Sequence, residues 1–118
     1  NTKIADDIET KKDYEVTDVF LKELRNENAS TVIYTLKLLE KIEPVMAEAK
    51  FHEFLHHENE KLREYALLRL ESNKSVKSIE IIKQRLQIES NQNIKTLAQS
   101  ALQHLAKTDS VQVTSTLL

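Results

Sequence analysis

Residues 51–59 read FHEFLHHEN and contain HEFLH, an H-E-x-x-H sequence. On a continuous helix this spacing puts His52 and His56 one turn apart, where they can share a zinc ion while Glu53 deprotonates a metal-bound water. Hydrolysis by that route also needs a third protein ligand, for which Glu80 is a candidate, and an open coordination position. Whether these residues act as a metal site depends on the elements that carry them.

The chain has 118 residues, which predicts one domain able to bury roughly two-thirds of its unfolded surface. It has no cysteine, which excludes a disulfide framework, a thiolate metal site and a cysteine nucleophile. Lys and Arg number 17 against 19 Asp and Glu, and the two signs are mixed along the chain. That balance lacks the basic stripe expected of a nucleic-acid binder. Residues 1–30 hold a mild acidic excess, which reads as a solvated face. No apolar run is long enough to span a bilayer and no signal-peptide pattern is present, so the expectation is a cytoplasmic domain without direct membrane insertion. Glycine is absent and Pro44 is the sole proline. A phosphate-cradling loop, a nucleophile elbow and a glycine hairpin turn are thereby excluded. The abundance of Leu, Lys, Glu, Gln and Ala predicts an all-α fold.

Apolar spacing agrees. Ile94, Leu97, Ala98, Ala101, Leu102 and Leu105 form one helical stripe; Leu62, Tyr65, Ala66 and Leu70 form another, and Val16, Val19, Phe20 and Leu24 a third. Asn28, Asn59 and Asn91 stand at the polar breaks between stripes, as N-cap or C′ residues. The pattern also repeats. FLKELRNEN (20–28) aligns with FHEFLHHEN (51–59) at an offset of 31, matching Phe20 to Phe51, Leu24 to Leu55 and Glu27-Asn28 to Glu58-Asn59. Tyr34 and Leu39 meet Tyr65 and Leu70 at the same offset, and Ile82 and Leu86 continue the series. The unit is a helical hairpin used three times. First helices are predicted near 14–26, 45–57 and 76–89, and second helices near 29–42, 60–72 and 92–107. Hairpins of this length bury their stripes by stacking, which predicts an α-α superhelix of about three hairpins.

The second helices resemble HEAT repeats. NEKLREYALLRL (59–70) is similar to that family's D-x-x-V-R-x-x-A-x-x-x-L phrase through Asn59, Leu62, Arg63, Ala66 and Leu70. NQNIKTLAQSAL (91–102) follows it through Ile94, Lys95, Ala98 and Leu102, whereas the first copy has Val32 for the Arg and Thr35 for the Ala. The resemblance covers residues 14–107. It implies an armadillo-like scaffold that offers a curved surface to a protein partner or a neighbouring domain, without catalysis or cofactor. It further implies that Arg63 bonds an acidic or carbonyl partner in a neighbouring repeat. Lys61, Arg63, Glu64, Arg69, Lys95, Thr96 and Gln99, the polar residues of the second helices, are the partner-facing strip expected by analogy with the fold.

Within the repeat, His52, Glu53 and His56 align with Leu21, Lys22 and Arg25, and with Lys83, Gln84 and Gln87. Their apolar neighbours Phe51 and Leu55 are the anchors, so the HEFLH polar residues read as a solvated helix face first and a metal pair second. Iron-binding deoxyhypusine hydroxylase is also a HEAT protein, but its His-Glu pairs follow the Arg of the phrase, where this chain has Glu64 and Thr96. His104 flanks the last stripe as a partly exposed packing residue. Tyr34 and Tyr65 are expected to pack between hairpins with their hydroxyls at the edge.

Residues 1–13 read as a polar extension and 108–118 as a flexible tail. The final Thr116-Leu117-Leu118 fits a carboxylate motif captured by PDZ domains if it is a true terminus. The expectation is a non-catalytic interaction or scaffold domain, excised from a larger polypeptide. LKLLEKIEP followed by ENEKLREYALLRLES also resembles the HEAT segment of bacterial ADP/ATP translocase-type proteins, which implies a soluble domain tethered to a transporter-like neighbour. A zinc-dependent hydrolase is the remaining alternative.

Overall fold

A computed structural model describes residues 16–117. The polar extension expected over 1–13 and the carboxylate of Leu118 lie outside the described residues. Those residues are helical and contain no strand. Helix α1 occupies 16–23, α2 Ala29–Ile42, α3 Pro44–Phe54, α4 Glu60–Ser72, α5 Ile79–Ile88 and α6 Gln92–Leu117; a 3-10 turn, Val76–Ser78, leads into α5.

Local chemistry sets the boundaries. Asn28 caps α2 by accepting from the Thr31 N–H at 3.2 Å, and Asn59 caps α4 by accepting from the Lys61 N–H at 2.8 Å. Asn91 accepts from the Ile94 N–H at 3.1 Å, so the three asparagines at the repeat register all start second helices. Pro44 opens α3 at the position where a missing N–H costs nothing, with only Glu43 between it and the end of α2. At the end of α4, Lys74 takes φ 53°. The Ser75 N–H returns to the Leu70 carbonyl at 3.0 Å and the Lys74 N–H to Glu71 at 3.0 Å, a Schellman closure. Glycine is the usual occupant of that left-handed position; this chain uses lysine, at about 1 kcal/mol of backbone strain.

Three expectations are corrected. Helix α6 runs to Leu117 where a tail was expected from 108. No glycine or proline interrupts it, and the Thr108 hydroxyl donates to the His104 carbonyl at 3.1 Å inside the helix. The third first-helix is divided into the 3-10 turn and α5 rather than running unbroken from 76. Val16 and Val19, read as part of an apolar stripe, are exposed.

The described residues fall into two compact units that divide between Ala47 and Glu48. In the first, Leu24, Val32, Leu36 and Leu39 are buried. Tyr34 lies off that 32–36–39 stripe and is 63% exposed, so it does not pack between hairpins. In the second unit α4 and α5 both pack on α6. Its core holds Phe51, Leu55, Leu62, Ala66, Leu67, Leu70, Ile82, Ile94, Ala98, Ala101 and Leu105. Tyr65 meets Phe51 edge-on, with centroids 6.1 Å apart, and joins α4 to α3.

Candidate functional site

The HEFLH sequence does not lie on one helix. Helix α3 ends at Phe54, and the His56 N–H turns back to the Glu53 carbonyl at 3.1 Å in a tighter turn. The i,i+4 helix face that a shared zinc ion requires is therefore broken between the two histidines. His56 is exposed, and Glu53 is exposed beside Lys50, 3.2 Å away. The Nε2 of His52 is bonded instead to the Ser78 hydroxyl at 2.6 Å. Among the described residues no group of three or more His, Cys, Asp or Glu is arranged to hold a metal ion, so Glu80 is not brought in as a third ligand. His57 packs its ring against Phe54, and its Nδ1 accepts from the Asn59 N–H at 2.9 Å.

Arg63 departs from the expected strip. It is 6% exposed, so it cannot face a partner. Its Nε and Nη2 donate to the two carboxylate oxygens of Glu89 at 2.8 Å each, a bidentate fork. Nη1 donates to the carbonyls of His57 and Glu58 at 2.8 and 3.1 Å. One guanidinium thus ties the residues after α3 to the C-cap of α5. Glu89 also accepts from Arg85 Nε at 3.3 Å and from the Asn91 N–H at 3.0 Å. Burial alone would raise the Glu89 carboxyl, but the Arg63 hydrogen bonds, the Asn91 N–H and the charges of Arg63 and Arg85 outweigh it and lower it to about 2. The signal for Glu89 in the sequence is its register, which continues that of Glu27 and Glu58, although both of those stand exposed. The first copy's Val32, at the Arg position, is fully buried. That position faces inward whether or not it carries a charge.

A second polar joint was not visible in the sequence. Ser75 donates to Glu48 Oε1, Ser75 and Ser78 share a hydrogen bond of 2.6 Å, and Ser78 meets His52. Lys77 closes on Glu48 Oε2 at 2.8 Å. Burial pushes the Glu48 carboxyl up, but the bonds from Lys77 and Ser75 and the charges of Lys77 and His52 hold it below its ordinary range.

The other strip residues do reach the surface. Lys61, Glu64, Thr96 and Gln99 are exposed, and Arg69 and Lys95 are half-buried. Arg69 is turned toward Ser72 and Asn73 at the end of its own helix, at 3.4 and 3.2 Å. His104 is exposed and bonded through Nδ1 to Glu71 at 2.6 Å, beside an open groove of about 450 Å³ between α4 and α6. The enclosed space next to Arg63 and Glu89 is only about 10 Å³, room for one water and not for a cofactor. Comparison with protein-family models, curated proteins and solved structures finds no match for this chain.

Proposed function

We propose that this chain is a non-catalytic protein-interaction domain built from HEAT-like helical hairpins, with a protein partner or a neighbouring domain as its ligand. One observation carries the reading: His52 of the HEFLH sequence and the arginine of the repeat phrase are engaged in joints between helices. Arg63 and Glu89 hold each other, and His52 is fastened to Ser78. A catalytic centre needs such groups within reach of a substrate. What reaches solvent on the neighbouring second helices α4 and α6 is a mixed polar strip of Lys61, Glu64, Thr96 and Gln99, with half-buried Lys95. Mixed charge of this kind favours selection among protein surfaces over bulk attraction to nucleic acid.

The test compares two surface variants of equal size. One carries Lys61→Glu, Glu64→Lys and Gln99→Ala on α4 and α6. The other carries Lys83→Glu, Gln84→Ala and Gln87→Ala on α5, where these residues are exposed. Partners are captured on the wild type and identified, and their affinities are then measured for both variants. Loss of at least about tenfold in the first variant alone supports the reading, since disrupted interface charges cost on the order of 1–3 kcal/mol. Equal loss in both, or in neither, removes the second-helix strip from the proposal.

A further inference from the structure

The side chains joining α3 to the segment before α5 have an internal direction that follows from counting hydrogens. Glu48 is an ionised carboxylate facing the Lys77 ammonium and can only accept. The single hydroxyl hydrogen of Ser75 is committed to Glu48. The bond between Ser75 and Ser78 must then use the hydrogen of Ser78. Ser78 has none left, so the bond to His52 must use a hydrogen on His52 Nε2. Three bonds consume three hydrogens, and only one arrangement closes the chain.

The segment this chain fastens is itself unusual. It leaves α4 through the left-handed Lys74, and the Val76 N–H closes on the Lys74 carbonyl at 2.9 Å before the 3-10 turn begins. Ser75 and Ser78 are both buried, and Ser78 is fully so. Buried hydroxyls without partners would each cost about 1–3 kcal/mol, so the completed chain of bonds favours this path of the segment. The device is not a requirement of the repeat. At the same register one copy earlier stand Leu21, Pro44 and Ala47 in place of His52, Ser75 and Ser78, none of which has a side-chain hydrogen to donate.

We propose that residues 74–78 are a latched hinge between the second and third hairpins, held shut by a one-way relay in which His52 donates to Ser78, Ser78 to Ser75 and Ser75 to Glu48. The relay requires a hydrogen on His52 Nε2: a protonated ring has one there in any case, and a neutral ring must be the Nε2–H tautomer, with Nδ1 left as an acceptor. It also makes the start of α5 depend on a side chain of α3, 26 residues away in the chain.

Two measurements on the whole chain test this. Long-range proton–nitrogen correlation of the imidazole rings, recorded at alkaline pH where the neutral ring is observed, should show His52 protonated at Nε2. A dominant Nδ1–H form in the wild type would overturn the relay. In Ser75→Ala the hydrogen of Ser78 is released to point at His52, so both tautomers become available and the ring should show a mixture. Amide exchange at residues 76–79 should then quicken about tenfold, the equivalent of one lost network bond, while exchange within α6 is unchanged. An unaltered tautomer together with unaltered exchange in Ser75→Ala sinks the latch. If that variant does not fold, the wild-type tautomer still decides the direction.

Discussion

Acidification should strip a measurable part of this protein's stability through one side chain, Glu89. Its carboxyl lies at about 2 in the fold against 4.5 as the reference for the free group. A folded-state value below the unfolded one means the unfolded chain takes up the proton first, so stability falls as pH falls. The contribution is nearly complete at about 4.5, shrinks steadily below it and is gone only below about 2. A difference of that size corresponds to about 3 kcal/mol, at 1.36 kcal/mol per unit, and because Glu89 is only 3% exposed solvent screening removes little of it. The assay is urea unfolding at several pH values between 7 and 2.5, comparing wild type with Glu89→Gln. The variant should be less stable by about 3 kcal/mol or more at pH 7, because Arg63 is left buried without its counter-charge. The gap between the two curves should then narrow as pH falls, with most of it lost by pH 2.5. A double replacement, Arg63→Met with Glu89→Leu, should recover most of the loss, since removing both charges also removes the burden of desolvating them. If the two curves ran parallel throughout the acid range, Glu89 would not be the titrating group and the reasoning would fail.

Other measurements follow from the same structure. Lys74→Gly should raise stability by about 0.5–1 kcal/mol in thermal or urea unfolding, because glycine adopts the left-handed position without the Cβ clash. Asn59→Ala should cost about 1 kcal/mol by removing the acceptor for the Lys61 N–H. Phe51→Ala should cost on the order of 3–5 kcal/mol, since the ring is fully buried and holds Tyr65 edge-on. Zinc titrated calorimetrically into the untagged protein should show no tight one-to-one binding, and His52→Ala with His56→Ala should leave the trace unchanged; tight binding lost in that pair would restore the metal site.

Helicity, the extent of several helices and the positions of the caps were legible in the sequence because each is decided by near neighbours in the chain. A chain without glycine and with one proline has few means of leaving the helical region. Apolar residues three and four apart choose the buried face, and an asparagine just before such a stripe serves backbone N–H groups two or three residues on. The expected ranges 29–42 and 60–72 coincide with α2 and α4 for this reason. The same local rules fell short at 108–117, where Ser, Thr and Val read as a tail although nothing there stops a helix already under way.

Only the tertiary structure decided which polar residues reach solvent and which are joints. Arg63 and Glu89 are 26 residues apart, and Ser75 and Glu48 are 27 apart. Their meeting depends on how each helix is rotated and on where the turns after Phe54 and Asn73 aim the chain. No periodicity in the sequence specifies those angles, so a buried arginine and an exposed one are written alike. HEFLH shows the same limit from the other side: its spacing is a metal site only on an unbroken helix. The Glu53 carbonyl instead takes the His56 N–H two residues past the helix end, leaving His52 to fasten a hinge rather than to hold an ion.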